Sequence, residues 1–396
     1  MSDRVVQLHV PPHVHPVYRE QLHAVPDGWR YRSDHPALAD ATAATKRVAQ
    51  DGRLGALVRL AESGGARVLS ELGYVHRNRG RAAPGASVVH SAERLLWRSP
   101  LPYVVDVEHG SLFVLYQQAA MDRPWTRVLL ERCLLDERLR FVLPWSDAAR
   151  RSVLTMVSPA AAARLAPKLR TVSPAIRLAA ERPRTRAGGP LRVLFVGTAF
   201  FEKGGVEAVQ ALRVVRATHD VTMDLVSYVP PGWEGRLAAE PGLTVHRPGG
   251  ADLVQRLYAQ ADALLFPSHM DTFGYVVLEA MAHGLPVLAP RHLALEETVQ
   301  DGLSGLLFGA ENMLFGADTV LRFRHTIPVP RSFREKLRHP GEPYVAGIAE
   351  QLARLAEEPG LHARLAEGAF ESVRSGALSV GRRRELLREV YDAAAR

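Results

Sequence analysis

The chain has 396 residues, 47% hydrophobic and 23% charged. These are globular proportions at a length that suggests two or three domains, and they exclude a disordered or collagen-like chain. A single cysteine, Cys133, excludes a disulfide framework or a cysteine-based zinc site within one chain and reads as a small buried apolar residue. The formal charge of +8 invites an anionic partner or an anionic membrane surface, although Arg supplies all but four of the 50 basic residues, a skew that also reflects genome composition.

The first residues lack the apolar run of a signal peptide, and no stretch approaches 18 apolar residues. The sequence therefore predicts a bacterial, cytoplasmic protein with no membrane-spanning helix and, at most, peripheral contact with the inner membrane face. Apolar runs at 5–10, 67–72, 87–90, 103–107 and 140–145 are each followed by a polar or Gly/Pro break and then helix-like sequence. That is the rhythm of βα units around a parallel sheet buried on both faces. His9, His13 and His15 alternate, but Pro11, Pro12 and Pro16 break the strand that would align them, so no metal site is predicted there. Residues 1–178 form the predicted first domain, and the charged, Pro/Gly-rich stretch 179–190 reads as a linker.

The rhythm restarts at 191–196 and continues through runs at 222–229, 243–246, 263–267, 286–289 and 305–308, with helical stretches at 252–261 and 273–283. This predicts a second α/β domain, 191–380, with an irregular insertion at about 310–344. Three helices follow at 350–357, 361–375 and 381–395. The last, within 381–396, is expected to pack back on the first domain, and Arg382, Arg383 and Arg384 read as its solvated end.

Two stretches carry the chemistry. In 263–289 a buried strand ends at Pro267, a polar loop carries His269 and Asp271, and a helix runs from near Gly274 to Gly284. Ligands of open α/β sheets sit beyond the carboxyl ends of the strands. A helix N-terminus there favours an anion such as phosphate. Glu279, in the second turn, can accept from the two hydroxyls of a ribose. Asp271, off the helix, can reach another polyol or simply cap the helix. In 196–207, Gly197 lets the chain turn, Gly204 and Gly205 open a helix, and Lys203, one of only four lysines, stands where it meets a phosphate.

These residues resemble the family 4 (group 1) glycosyltransferases of the GT-B fold. The match rests on Gly197 with Lys203-Gly204, on Asp271, Phe273-Gly274 and Glu279, on the run 279–287, and on Glu297, Asp301, Gly302 and Gly305. It covers 191–308 well and the N-terminal half only in rhythm. The resemblance implies two Rossmann-like parallel-sheet domains facing each other across a cleft. It implies a nucleoside-diphosphate sugar donor of UDP or GDP type in the C-terminal domain and a small-molecule or lipid-linked acceptor on the N-terminal domain. Transfer would proceed with retention, without a metal or other cofactor and without a nucleic-acid partner. Lys203, helped by amides near Gly274, would neutralise the leaving diphosphate, Glu279 would hold the ribose and Asp271 the donor sugar. Gly197, Thr198, Gly204, Thr272 and Phe273 would complete the donor site. His109, at the end of the 103–107 strand, would touch the sugar near its reacting carbon; its neighbour Glu108 either orients it or faces away.

The chain also departs from the family pattern. Asp271 replaces Glu, and Thr198 replaces an Arg whose phosphate contact Arg192, His269 or Arg291 would have to supply. Residues 291–294 replace a glycine pair, and Pro11–Pro16 replace a Gly-rich loop. A nucleotide-sugar 2-epimerase and a catalytically impaired nucleotide- or glycan-binding homologue therefore stay open. No G-x-G-x-x-G follows either first strand, which argues against a dehydrogenase.

Overall fold

Runs such as Tyr103-Val104-Val105-Asp106-Val107 and Leu191-Arg192-Val193-Leu194-Phe195 are β-branched and apolar on both faces, which suits central strands of a sheet covered on both sides. In the computed structural model they take that place. The structure describes residues 3–10, 15–33 and 71–396, apart from 187, 325, 327, 328 and 359, together with positions 35, 38 and 68. His13, Pro11, Pro12 and most of the strand predicted at 67–72 lie outside the described residues.

The chain forms two compact units. One comprises Met1–Ala175, Phe315–Pro330 and Val380–Arg396, and the other Ile176–Leu314 and Arg331–Ser379. The first unit holds a five-stranded sheet, β2-β1-β4-β6-β7, all parallel. Its strands are β1 (Arg4–His9), β2 (Trp29–Ser33), β4 (Ala86–Ala92), β6 (Tyr103–Val107) and β7 (Leu139–Pro144). A separate parallel pair joins β3 (Arg77–Arg79) and β5 (Leu95–Trp97). The second unit holds six parallel strands in the order β10-β9-β8-β11-β12-β13. These are β8 (Leu191–Ala199), β9 (Val221–Tyr228), β10 (Leu243–His246), β11 (Ala263–Leu265), β12 (Val287–Pro290) and β13 (Gly305–Phe308). Renumbered from β8, that order is the doubly wound 3-2-1-4-5-6, whose direction reverses between β8 and β11. In the first sheet the reversal falls between β1 and β4.

The C-terminal helix, Val380–Ala394, belongs to the first unit. Its Leu387, Val390, Tyr391 and Ala394 join one core cluster with Val6, Leu8, Trp29, Val88, Val104 and Leu143. At about 1.5–3 kcal/mol for each large apolar side chain buried, this stripe accounts for the docking. Arg383 corrects the expectation of a solvated helix end, because it is 2% exposed. Its guanidinium donates to the carbonyls of Val172 (3.1 Å) and Ser173 (2.9 Å) and to Gln21 Oε1 (2.8 Å), and it lies 3.6 Å from Asp106 Oδ2. A charged side chain is buried here because carbonyls and a carboxylate replace its water. Cys133 packs, half-buried, against the other core cluster, and burial raises its thiol above the ordinary range.

The stretch read as an insertion divides between the units. Residues 315–330 run through the first unit, and the chain returns to the second with the helix Arg331–Leu337. No described helix is long and apolar enough to cross a membrane.

Candidate functional site

The direction of winding reverses between β8 and β11, so the loops leaving these neighbouring strands diverge and open a crevice at their carboxyl ends. Lys203 follows β8, Asp271 follows β11, and the crevice brings them together. Lys203 Nζ donates to Asp271 Oδ2 at 2.6 Å. Ser268 donates to the same carboxylate oxygen. Both charged side chains keep a little under a fifth of their surface in solvent, so the pair remains open to a ligand. Gly197 leaves room for the Lys203 stem, since a Cβ at 197 would lie 2.6 Å from that of Lys203. Thr198, next along β8, is exposed.

Two helices start at this crevice, and glycine precedes both. Gly204 precedes the helix Gly205–Arg216 and Gly274 the helix Tyr275–Ala282; both glycines are left-handed, with φ of +79° and +77°. A Cβ on Gly204 would sit 2.1 Å from the Pro267 carbonyl oxygen, so only glycine lets the two loops touch. Neither helix start carries a side-chain cap. Gly205 N donates to the Phe200 carbonyl (2.7 Å) and Val277 N to the Gly274 carbonyl (2.9 Å), and the positive end of each helix dipole lies at the crevice. Thr272 is partly exposed beside Gly274, and Phe273 is buried.

Glu279 occupies the second turn of its helix. Tyr258 Oη donates to Glu279 Oε2 at 3.1 Å, and the Tyr258 ring stacks on His283 with centroids 5.0 Å apart. Burial raises the Glu279 carboxyl above its usual range, and the Tyr258 hydrogen bond opposes that shift. Oε1 accepts no hydrogen bond among the described residues, which leaves one oxygen for a ligand hydroxyl. Tyr258 lies 21 residues upstream on another helix, and no local pattern points to it.

Each of the residues expected to replace the missing phosphate arginine has a protein partner in this structure. His269 is fully buried, with Nε2 2.7 Å from Glu207 Oε1 and Nδ1 2.6 Å from the Glu311 carbonyl. It is therefore a brace that fixes the loop below Asp271. Arg192 lies 3.6 Å from Asp262, and Arg291 pairs with Asp301. Asp301 also accepts from Leu307 N at 2.9 Å, which gives the Glu297–Gly305 stretch a structural task in closing its turn.

His109 lies in the first unit, directly after β6, and is 3% exposed. Its Nε2 is 2.9 Å from the Thr319 carbonyl, and its Nδ1 accepts from Ser111 N at 3.2 Å with Ser111 Oγ at 2.7 Å. That pattern assigns the neutral Nε2–H tautomer. Phe315 packs on the ring with centroids 4.4 Å apart. Glu108 accepts from Tyr116. Of the expected site, the crevice between β8 and β11 gathers Gly197, Thr198, Lys203, Gly204, Asp271, Thr272 and Gly274. Glu279 stands a turn and a half along the helix that begins there.

Comparisons with known proteins bear on the fold and on one segment of the chain. Residues 190–323 match the family model described as Glycosyl transferases group 1. Among curated proteins, D-inositol 3-phosphate glycosyltransferase of Saccharomonospora viridis is 32% identical over 228 residues, half of each chain. Glycogen synthase of Mycobacterium tuberculosis is 33% identical over 136 residues, 32% of each chain. The chain thus spans about half or less of the length of these relatives. Among solved structures, HepE of Anabaena in complex with UDP and glucose has a TM-score of 0.58 at 15% identity, with 98% of each chain covered. Sucrose-phosphate synthase of Thermosynechococcus elongatus has a TM-score of 0.59 at 15% identity, again with 98% of each chain covered. The fold is the two-unit α/β architecture of GT-B proteins, and all but the last residues of the segment that matches the group 1 glycosyl transferases lie in its second unit.

Proposed function

We propose that the protein is a glycosyltransferase of family 4 type that moves a sugar from a nucleoside diphosphate to a small-molecule or lipid-linked acceptor with retention. The observation that carries this reading is the Lys203–Asp271 pair at 2.6 Å beside two uncapped helix starts. Bonding in the transition state is lost at the glycosidic oxygen, and negative charge grows on the departing diphosphate. A fixed ammonium and helix amides meet that charge without reorganising. Asp271 holds the ammonium in place and, through Ser268, is itself held; in the complex it turns to donor-sugar hydroxyls. Glu279 accepts from the ribose through the oxygen that Tyr258 leaves free.

The reaction needs no protein nucleophile and no metal in this account, because charge stabilisation and positioning supply the catalysis. His109, as the neutral tautomer, gives its one N–H to the Thr319 carbonyl, and would donate near the reacting carbon by exchanging that bond for one to the sugar. The UDP and UDP-glucose bound by HepE support a nucleotide-sugar donor of UDP type. The protein is proposed to work in the cytoplasm, peripherally at the membrane where its acceptor is a lipid.

The test is turnover with a panel of UDP- and GDP-sugars. Lys203→Ala and Glu279→Ala are expected to lose activity while the melting temperature holds. Wild-type turnover in either variant sinks the site. Conversion of a nucleotide sugar with no acceptor present would identify a 2-epimerase instead, and nucleotide binding without turnover a scaffold.

A further inference from the structure

The first unit has its own reversal of winding, between β1 and β4, and hence its own crevice at the strand carboxyl ends. Tyr18, on the short helix Pro16–Gln21 that follows β1, is 1% exposed, and its hydroxyl makes no hydrogen bond. A buried phenol is seldom left without a partner. Its hydroxyl faces acids: after burial itself, Glu93 and Asp106 are the chief causes that hold its proton on, with Glu108 behind them and Arg383 opposing.

Glu93 stands immediately after β4, half-buried, with φ +61°. Among the described residues it makes no hydrogen bond or ion pair. The register sets Ala92 opposite Asp106, so Glu93 and Glu108 leave adjacent strand ends side by side. The charges are unequally matched. Asp106 is answered by His90 Nε2 at 3.0 Å and Arg383 at 3.6 Å. Only Arg94, its chain neighbour, offsets Glu93. The crevice therefore holds, among the described residues, a Glu93 carboxyl with no hydrogen bond or ion pair and a Tyr18 phenol with nothing to bond.

We propose that this crevice binds a protonated amine, so that the acceptor is an amine-bearing polyol. The inference deepens the glycosyltransferase reading and rests on it. Among the described residues no group of three His, Cys, Asp or Glu is arranged to hold a metal ion, so an ammonium, which needs only carboxylates and hydroxyls, is the cation that fits. Tyr18 would donate to a hydroxyl next to the amine.

Unliganded, Glu93 favours its protonated form. Burial, then Glu108 and Asp106, push the Glu93 carboxyl up to about 8. An arriving ammonium takes over that proton's task. Glu93 changes from carboxylic acid to carboxylate, the ammonium keeps its own three protons, and one proton leaves to solvent. Amine binding is thus coupled to proton release, which binding of a neutral polyol is not.

The test is calorimetric titration of the full chain at pH 7 with glucosamine, glucose and N-acetylglucosamine, each in two buffers of different ionisation enthalpy. Glucosamine should bind at least tenfold more tightly than the other two and release up to one proton. Glu93→Gln should abolish both the preference and the release. Tyr18→Phe should weaken all three sugars while keeping the preference. Equal affinity, no binding of glucosamine, or a preference that survives Glu93→Gln overturns the inference; the wild-type comparison decides even where a variant fails to fold. UDP and GDP titrated on the same preparation separate the two readings. Nucleotide binding without an amine preference refutes this inference alone, whereas an amine preference without nucleotide binding refutes the donor site.

Discussion

The two units place charge at the same point of their folds and treat it in opposite ways. In the second unit the charged groups at the β8/β11 crevice are paired, Lys203 with Asp271, His269 with Glu207 and Glu202 with Arg334 at 2.5 Å, while Glu279 has the neutral Tyr258. In the first unit Glu93 at the β1/β4 crevice has no hydrogen bond or ion pair among the described residues, and the Tyr18 hydroxyl is left without a partner. A crevice made electroneutral by an internal pair can release its lysine to an incoming anion at little cost. A crevice whose unpaired carboxyl is pushed up by burial and acidic neighbours holds a proton until a cation comes. The contrast suits one molecule that receives a diphosphate on one unit and a cationic polyol on the other.

The largest expected effect falls on the scaffold of the first unit. Arg383→Ala strips a counter-ion from buried Asp106 and should cost about 3–5 kcal/mol. In denaturant titration this would appear as an early transition of the first unit, with nucleotide binding by the second retained. A fall under 1 kcal/mol would show that Asp106 needs only His90.

Next, Lys203→Ala should lower kcat/KM by about 100- to 1,000-fold, as removal of one preorganised donor does at other developing oxyanions. Lys203→Arg should recover part of that loss, because the charge returns. Glu279→Gln should weaken nucleotide binding by about 10- to 100-fold, the worth of a hydrogen bond to a charged acceptor. Tyr258→Phe, which removes only the donor to Oε2, should cost less than that.

The smallest effect is on pH. Burial lowers His15 and His76 in the first unit to about 4, against 6.5 when unfolded. The unfolded chain therefore binds more protons between those values, and stability present above 6.5 is lost as the pH falls towards 4. Glu93 works the other way. Its raised carboxyl contributes stability below about 4.5 that is lost as the pH rises through about 8. The melting temperature should accordingly peak between the two arms, and Glu93→Gln should flatten the alkaline arm alone.

The same contrast explains what was legible in the sequence. The second unit builds its site from groups within a few residues of a strand end, so Lys203, Gly204, Asp271, Gly274 and Glu279 lie in two short stretches with recognisable spacing. All six of its strands show as apolar runs. What escaped there was long-range: Tyr258 reaches Glu279 from another helix, and His269 turns inward to Glu207 when its loop position suggested a ligand contact. The first unit is legible only in rhythm. Its edge strand β2, Trp29-Arg30-Tyr31-Arg32-Ser33, alternates polar and aromatic residues and shows no apolar run, and β3 and β5 are only three residues each. Arg383 looked like one of three surface arginines. Nothing local distinguishes it; its partners Gln21, Asp106 and Val172 come from three distant parts of the chain. Glu93 likewise gains meaning only from the register of β4 on β6.

The central claim is that the crevice between β8 and β11 binds a nucleoside diphosphate through Lys203 and Glu279. Thermal denaturation with UDP, GDP, ADP, CMP and dTDP tests it most directly, since a ligand at about 100 times its Kd adds roughly 2.7 kcal/mol. A rise of several degrees is expected with one diphosphate, absent in Lys203→Ala and in Glu279→Ala. A rise that survives both substitutions, or no rise with any nucleotide, would contradict it.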